Sequence, residues 1–153
     1  MPPTTALDVA RYLVSKVDFD AGDQITNLKL QKLLYYCQAW HLAISDAPLF
    51  NDTIEAWVHG PVIHSIWKHY QDAESIPAHP GFDPNVIPDD ARGVIDEVWE
   101  AYGHHSAATL RNQTHKDSPW REARAGLPDG RRSRASISHA SMRDFYRSVM
   151  RSS

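Results

Sequence analysis

Nine histidines are the side chains most able to do chemistry in this sequence of 153 residues. His59, His64 and His69 follow one another at intervals of five, unlike the four-residue spacing that puts two zinc ligands on one helix face. His104 and His105 are adjacent, so their side chains diverge. With a single cysteine in the chain, a zinc site would have to collect histidine and carboxylate ligands from distant segments. We therefore expect neither a metal nor a cofactor.

Three further residues suggest catalysis, and each has a simpler interpretation. Cys37 lies among the apolar positions of the strongest helical pattern, whereas a nucleophilic thiolate needs partial exposure and a lowered pKa. Glu55 and His59 lie on one side of an extended segment and suit an acid–base pair, although such pairs are common by chance. No nucleophile-elbow, phosphate-loop, dinucleotide or kinase motif occurs. The residues predict a protein that is not an enzyme, with a hydrolase that uses Glu55, His59 or His115 as an alternative.

The elements that would position these residues are helical. Apolar residues recurring at three and four predict an all-α fold, a single compact domain of six or seven helices. The strongest pattern covers about residues 27 to 45, and apolar groups on all its faces predict a buried central helix. The other predicted helices cover residues 6–16, 61–70, 89–102, 107–114, 118–126 and 139–150. Residues 54–59 alternate weakly, which predicts a short extended segment, and Pro61 suits the first turn of the following helix.

The net charge of -3 conceals an uneven distribution along the chain. Residues 1–120 hold 16 Asp and Glu against 8 Lys and Arg, whereas residues 121–153 hold 3 against 8, all of them arginines. Arg131, Arg132 and Arg134 cluster in a segment, 127–136, whose composition predicts a mobile loop and a possible electrostatic contact. The acidic body argues against nucleic-acid binding, and a repressor that uses the arginine cluster remains an alternative.

Location follows from what the sequence lacks. No stretch approaches the roughly 18 apolar residues of a membrane-spanning helix. The first residues, Met1 to Thr4, show no basic segment followed by an apolar run, and one cysteine allows no internal disulfide. We expect a cytoplasmic protein with no membrane contact.

Five tryptophans and six tyrosines are an unusual aromatic content. Aromatic residues of this kind serve cores or protein interfaces, because they bury a large area and keep a polar atom. Those beside polar residues predict a surface for a protein partner. The predicted surface consists of Gln31, Lys32, Tyr35, Trp57, His59, Gly60 and Pro61.

Three blocks of sequence resemble the signature of the Panacea domain, the SocA-like antitoxin family. The first is ITNLKLQKLLYY at 25–36 with QAWHLA at 38–43, and the second is PLF at 48–50 with EAW at 55–57 and HGPV at 59–62. The third is DEVWEAYG at 96–103 with TH at 114–115 and SPW at 118–120. The blocks occur in the family's order and extend over about residues 7 to 125.

The resemblance implies an all-α antitoxin from a bacterium, phage or prophage, which neutralises a cognate protein toxin encoded nearby by direct binding. It implies a domain core over residues 1–126, followed by the 127–136 loop and a C-terminal helix over 137–153. A proteolytic adaptor that delivers the toxin to a protease is an alternative. Motif residues expected to be structural are Leu30, Leu34, Trp40, Trp99, His115 and Trp120.

Overall fold

The computed structural model describes residues 4–71 and 74–152, so residues 1–3 and 72–73 of the predicted domain core and residue 153 of the predicted C-terminal helix lie outside the described residues. Within those two ranges the chain forms seven α-helices and one two-stranded hairpin. The helices are α1 Ala6–Ser15, α2 Asn27–Ser45, α3 His64–His69, α4 Asp89–Tyr102, α5 Ala107–Lys116, α6 Ser118–Ala123 and α7 His139–Arg151. The hairpin consists of β1 Glu55–Trp57 and β2 Gly60–Val62. The predicted helical single domain is confirmed, and no helix in the described ranges is long and apolar enough to cross a bilayer.

Local side-chain caps explain where the first two major helices begin. Thr5 and Asp8 form a reciprocal capping box at the start of α1. The Thr26 hydroxyl accepts a hydrogen bond from the Lys29 amide and so caps α2. At the other end of α2, Asp46 adopts a left-handed conformation and its amide donates to Leu42 O.

Helix α2 lies at the centre of the domain, as its pattern predicts. It contacts α1, α3, α4, α5, α7 and β2. Its apolar residues Leu30, Leu33 and Leu34 are fully buried. The same helix also buries polar side chains, namely those of Asn27, Gln31, Lys32 and Gln38. Since a buried polar group is costly unless it is hydrogen-bonded, each of them needs a partner in the segments that cover the helix.

Gln38 finds its partners in the chain that follows α2. Its amide nitrogen donates to Phe50 O at 2.7 Å, and its amide oxygen accepts from the Leu49 amide at 2.7 Å. The Phe50 amide approaches the same oxygen at 3.4 Å. Gln38 therefore fixes the extended backbone that leads into the hairpin.

Gln31 and Asn27 do the same for the start of α3. The Gln31 amide oxygen accepts from the Ile63 amide at 2.9 Å, and its nitrogen donates to Asn27 Oδ1 at 2.9 Å. Asn27 in turn donates to Trp67 O at 3.0 Å. This chain of hydrogen bonds connects α2 to both ends of the short helix.

The prediction that the third helix starts at Pro61 is wrong. Pro61 belongs to β2 and lies opposite Ala56, and α3 begins only at His64. A proline is compatible with a first helical turn and equally with a short edge strand, since neither position needs its missing N–H. The hydrogen bond from the Ile63 amide to Gln31 decides between the two, and this interaction is invisible in local sequence.

The segment predicted as a mobile loop has a defined path, although its mobility stays a prediction. The Ala56 amide donates to Ala135 O at 2.8 Å, and the Ile137 amide donates to Ile54 O at 2.8 Å. Residues 135–137 therefore run antiparallel to β1 on the edge away from β2. Helix α6 ends at Ala123, earlier than predicted, because Ala125 and Gly126 both have positive φ.

Replacing Gln38 by methionine tests the hydrogen bonds that join α2 to the incoming backbone. Methionine preserves the volume but leaves the Leu49 amide and the Phe50 carbonyl without partners, each at about 1 to 3 kcal/mol. We expect Gln38→Met to lower the free energy of unfolding by about 2 to 5 kcal/mol in urea titrations. The exposed Gln24→Met control should stay within about 0.5 kcal/mol of the parent. Equal stability of the two variants would contradict this role of Gln38.

Candidate functional site

The residues predicted to form a partner surface divide into a buried set and an exposed set. Gln31, Lys32 and Tyr35 do not lie on a surface, because their side chains have exposed fractions of 1%, 0% and 0%. Gly60 and Pro61 are also buried. The reason is that other elements cover α2 at these positions, so its polar side chains there bind backbone of the covering segments instead of facing solvent.

Lys32 secures the turn of the hairpin. Its Nζ donates to Pro61 O at 3.0 Å. A Cβ at Gly60, where φ is +106°, would lie 2.8 Å from Lys32 Cε and 2.9 Å from Thr114 Oγ1, so only glycine fits at this position. Burial, with a smaller contribution from the neighbouring Arg111, lowers the pKa of Lys32 to about 7. Lys32 thus joins α2 to β2 of the hairpin.

Tyr35 belongs to a buried cluster around one carboxylate. Its hydroxyl donates to Asp117 Oδ2 at 3.1 Å, and the Tyr146 hydroxyl donates to the same oxygen. Burial raises the pKa of Asp117 to about 6, against the opposing effect of the two hydroxyl donors. Asp117 precedes α6, so this cluster ties α2 and α7 to the start of α6.

A stack of three side chains connects the hairpin to the arginine-rich segment. The His115 and Trp120 rings are nearly parallel with centroids 4.1 Å apart, and the Arg124 guanidinium lies 4.7 Å from the Trp120 ring. Trp120 Nε1 donates to Trp57 O at 2.8 Å. Burial, and after it Arg111, lowers the pKa of His115. Through the hydrogen bond from Trp120 to Trp57 O, the stack supports the hairpin.

Arg124 extends this support to the following loop. Its guanidinium donates to Ala56 O at 3.1 Å in β1. It also donates to the carbonyls of Pro128, at 3.0 Å, and of Arg131. With 2% exposure, Arg124 is a buried cation whose two terminal nitrogens donate to backbone carbonyls, whereas its Nε has no hydrogen-bond partner among the described residues. The loop backbone near Arg131 is consequently held against the hairpin.

The exposed members of the predicted sites meet at one groove. Trp57 and His59 of the hairpin face Arg132 and Arg134 of the loop across a volume of about 440 Å³. The complete lining is Trp57, Val58, His59, Gly130, Arg132, Ser133 and Arg134, which we call the hairpin groove. The hairpin residues and the loop arginines, which were predicted as separate sets, therefore form a single surface. Arg131 is exposed but does not line the hairpin groove.

Glu55 positions two of the groove side chains. Its Oε1 accepts from Trp57 Nε1 at 2.7 Å and from Arg134 Nε at 3.0 Å, and Arg134 Nη2 lies 3.3 Å from Oε2. Partial burial acts to raise the pKa of Glu55, but the donors of Arg134 and Trp57 outweigh it and lower the pKa. In the described ranges no hydrogen bond joins Glu55 to His59. The structure thus shows no acid–base pair at this position.

The motif residues expected to be structural occupy the interior or its boundary. Leu30 and Leu34 are fully buried, and Trp120 is 1% exposed. Trp40 and Trp99 are half-buried and pack against the core, and Trp40 Nε1 donates to Tyr102 OH at 3.0 Å.

A second groove, of about 320 Å³, is almost wholly apolar and was missed by the sequence analysis. Its lining is Trp40, Ile44, Val94, Glu97, Val98, Ala101, Tyr102 and Met150. Ile44 and Met150 are 49% and 45% exposed, although both continue a buried apolar pattern. Periodicity cannot distinguish an exposed apolar residue at the end of a helix from a buried one.

The described residues show no arrangement suited to metal binding or to a cysteine nucleophile, the two chemistries considered from the sequence. Among residues 4–71 and 74–152, no three His, Cys, Asp or Glu side chains converge to hold a metal ion. Cys37 is completely buried, and burial raises the pKa of its thiol, which opposes formation of a thiolate.

A helical domain with an open groove lined by tryptophan and arginine is typical of a protein-binding domain, since these residues dominate interface hot spots. The family model described as antitoxin SocA-like, Panacea domain, matches residues 30–121, which is more than half of the chain. The chain belongs to this family of antitoxins, a role that implies a cognate toxin as partner. Comparisons with curated proteins and with solved structures gave no significant match. The matched range includes the hairpin and Trp120 but not the arginines of the hairpin groove.

The lowered pKa of Lys32 predicts that the free energy of unfolding increases with pH. Between pH 7 and 10 the unfolded chain binds a proton that the folded chain does not, so stability rises with pH by at most about 1.4 kcal/mol per pH unit. Urea unfolding of the parent and of Lys32→Met should show this slope between pH 7 and 9 only in the parent. Lys116→Met, which changes an exposed lysine, should retain the slope of the parent. Parallel profiles for the parent and Lys32→Met would contradict a neutral buried Lys32.

Trp120 should be more important for stability than for direct contact with a partner. Truncating a buried tryptophan costs about 3 to 5 kcal/mol, so Trp120→Ala should lower the melting temperature sharply. Trp120→Phe retains most of the volume but not the hydrogen bond to Trp57 O, and should be intermediate. Thermal unfolding measures both effects. A Trp120→Ala variant of parental stability that no longer binds its partner would instead place Trp120 in the interface.

Proposed function

We propose that this protein is an antitoxin that neutralises a cognate protein toxin by direct binding at the hairpin groove, without chemistry on either chain. The observation that carries the proposal is the hairpin groove itself. It exposes Trp57 and Arg132, residue types that dominate hot spots, on a backbone that buried side chains hold in place. The toxin would be encoded nearby, and both proteins would act in the cytoplasm.

Pre-organisation supports binding at this surface. Lys32 and Trp120 each donate to a hairpin carbonyl, and Arg124 donates to carbonyls on both sides of the groove. Association costs less when side chains and loops are already ordered, so a fixed groove converts more of its contacts into affinity.

The hydrogen bonds of Glu55 argue against the two alternatives that are not protein binding, a hydrolase and a nucleic-acid-binding repressor. A hydrolase that used Glu55, rather than His59 or His115, would need this carboxylate as an acid or base, but its oxygens accept from Arg134 and Trp57. A repressor would need the arginine cluster free for phosphates, whereas Glu55 already neutralises Arg134. Binding of a protein requires neither group to be released.

Co-expression with the product of each adjacent gene in a heterologous bacterium tests the proposal. We expect growth to be restored against one of these products while the amount of toxin, followed by immunoblot, remains unchanged. Restored growth with disappearance of the toxin would identify a proteolytic adaptor instead. Failure to restore growth against every adjacent product would reject the antitoxin role.

Trp57→Ala should separate binding from folding. Trp57 is half-buried at the hairpin groove, so truncation should cost about 2 kcal/mol of binding free energy, or about 30-fold in affinity. Ile44→Ser, which alters the second groove, is the matched control and should bind as the parent does. Calorimetric titration with purified toxin measures both, and circular dichroism verifies folding. The reverse result, with Ile44→Ser weakened and Trp57→Ala unchanged, would transfer the interface to the second groove.

A further inference from the structure

The charges around the hairpin groove are not balanced. Of the two arginines that line it, Arg134 forms an ion pair with Glu55. Arg132 is exposed and, within the described ranges, has neither an ion-pair nor a hydrogen-bond partner. No aspartate or glutamate lines the groove. One guanidinium, with its five donors, is therefore available to an incoming acceptor.

The groove also has apolar lining residues, Trp57 and Val58. Outside the lining, the Trp57 ring packs against His64 and Trp67, with ring centroids 5.9 Å apart in each pair. Val58 continues the lining towards His59. A volume of about 440 Å³ is in the range of pockets that enclose small ligands, so it accepts a few side chains and not a folded element.

Trp57 and the backbone that leads into Arg132 are held in place, whereas the Arg132 guanidinium has no partner in the described ranges. Glu55 accepts hydrogen bonds from Trp57 Nε1 and from Arg134. It therefore joins a hairpin residue and a loop residue that both line the groove. Arg124 holds the carbonyl of Arg131, the residue directly before Arg132. An occupant that presents an acceptor close to an apolar group can therefore contact Arg132 and Trp57 together.

We propose that the hairpin groove receives an extended acidic segment of the toxin, in which one carboxylate pairs with Arg132 while a neighbouring apolar side chain packs on Trp57. This proposal rests on the proposed antitoxin function and adds the chemistry of the partner. Arg132 is then the residue that determines specificity, since a planar guanidinium matches a carboxylate with two parallel hydrogen bonds.

A carboxylate suits this site better than a nucleic-acid backbone. A polyanion needs several uncompensated cations, but the groove offers one, and Asp129 lies in the same loop. Residues 1–120 carry twice as many acidic as basic residues, which would repel a phosphate chain extending beyond the groove. A single acidic side chain next to an apolar one avoids this repulsion.

The test compares two charge reversals in the full-length protein, titrated against the purified toxin in 0.15 M and then in about 0.5 M salt, where the Debye length is only a few ångströms. Arg132→Glu should weaken binding about 30-fold or more at both salt concentrations, because it opposes a buried carboxylate. Arg131→Glu is the matched control, with the same change of net charge one residue away and outside the groove lining. It should cost less than about threefold in high salt.

Reversal on the toxin identifies the partner group. Each surface Asp and Glu of the toxin is changed to Arg and tested against Arg132→Glu, and one such change should restore at least part of the lost affinity while weakening binding to the parent. Rescue of this kind cannot arise from a misfolded Arg132→Glu chain. Thermal unfolding of the variant provides an independent measure of its folding.

The possible results separate the two proposals. Parental affinity of Arg132→Glu, or rescue by no acidic residue of the toxin, would overturn the assignment of Arg132 and leave the antitoxin role standing. Binding of a labelled 20-mer DNA or RNA by the parent that Arg132→Glu abolishes would overturn it in favour of phosphate recognition. If the parent binds no adjacent gene product at all, the antitoxin proposal fails, and this inference fails with it.

Discussion

The structure depends on the hydrogen bonds that the buried polar side chains of α2 make to the backbone of the segments around it. The covered positions of a helix are shielded from water, so an unpaired polar group there costs about 1 to 3 kcal/mol. Gln38, Gln31 and Lys32 find carbonyls and amides of residues 49–50, 63 and 61. These hydrogen bonds determine where otherwise irregular chain can run.

The same kind of hydrogen bond also holds the hairpin that lines the groove. Lys32 underlies the hairpin turn, and Trp120 and Arg124 bind its other carbonyls, so the hairpin is held from two directions. The exposed side of the same turn lines the hairpin groove. The matched family range contains α2 from Leu30, the hairpin and Trp120, while Arg124 and the arginines of the groove lie outside it.

Buried ionisable groups also reduce the stability of the scaffold. Burial moves the pKa of Lys32 down to about 7 and that of Asp117 up to about 6, so at pH 7 Lys32 is only partly protonated and the charged form of each group is less favoured than in water. Replacing both partners of a buried polar pair by apolar groups of the same shape is often neutral or stabilising. Lys32 and Asp117 instead specify how the elements pack together. Lys32 holds the Pro61 carbonyl, and Asp117 holds the Tyr35 and Tyr146 hydroxyls.

The sequence by itself determined the helical class, the central position of α2 and most helix boundaries, because 3.6-residue periodicity and end caps are local properties. It also contained the hairpin-side residues of the groove, Trp57 and His59. Tertiary structure alone decided that Lys32 and Tyr35 are interior, that Pro61 is a strand residue, and that Arg132 faces Trp57. Each of these depends on contacts between residues far apart in sequence, such as Gln31 with Ile63 and Arg134 with Glu55, whose partners no local pattern can identify.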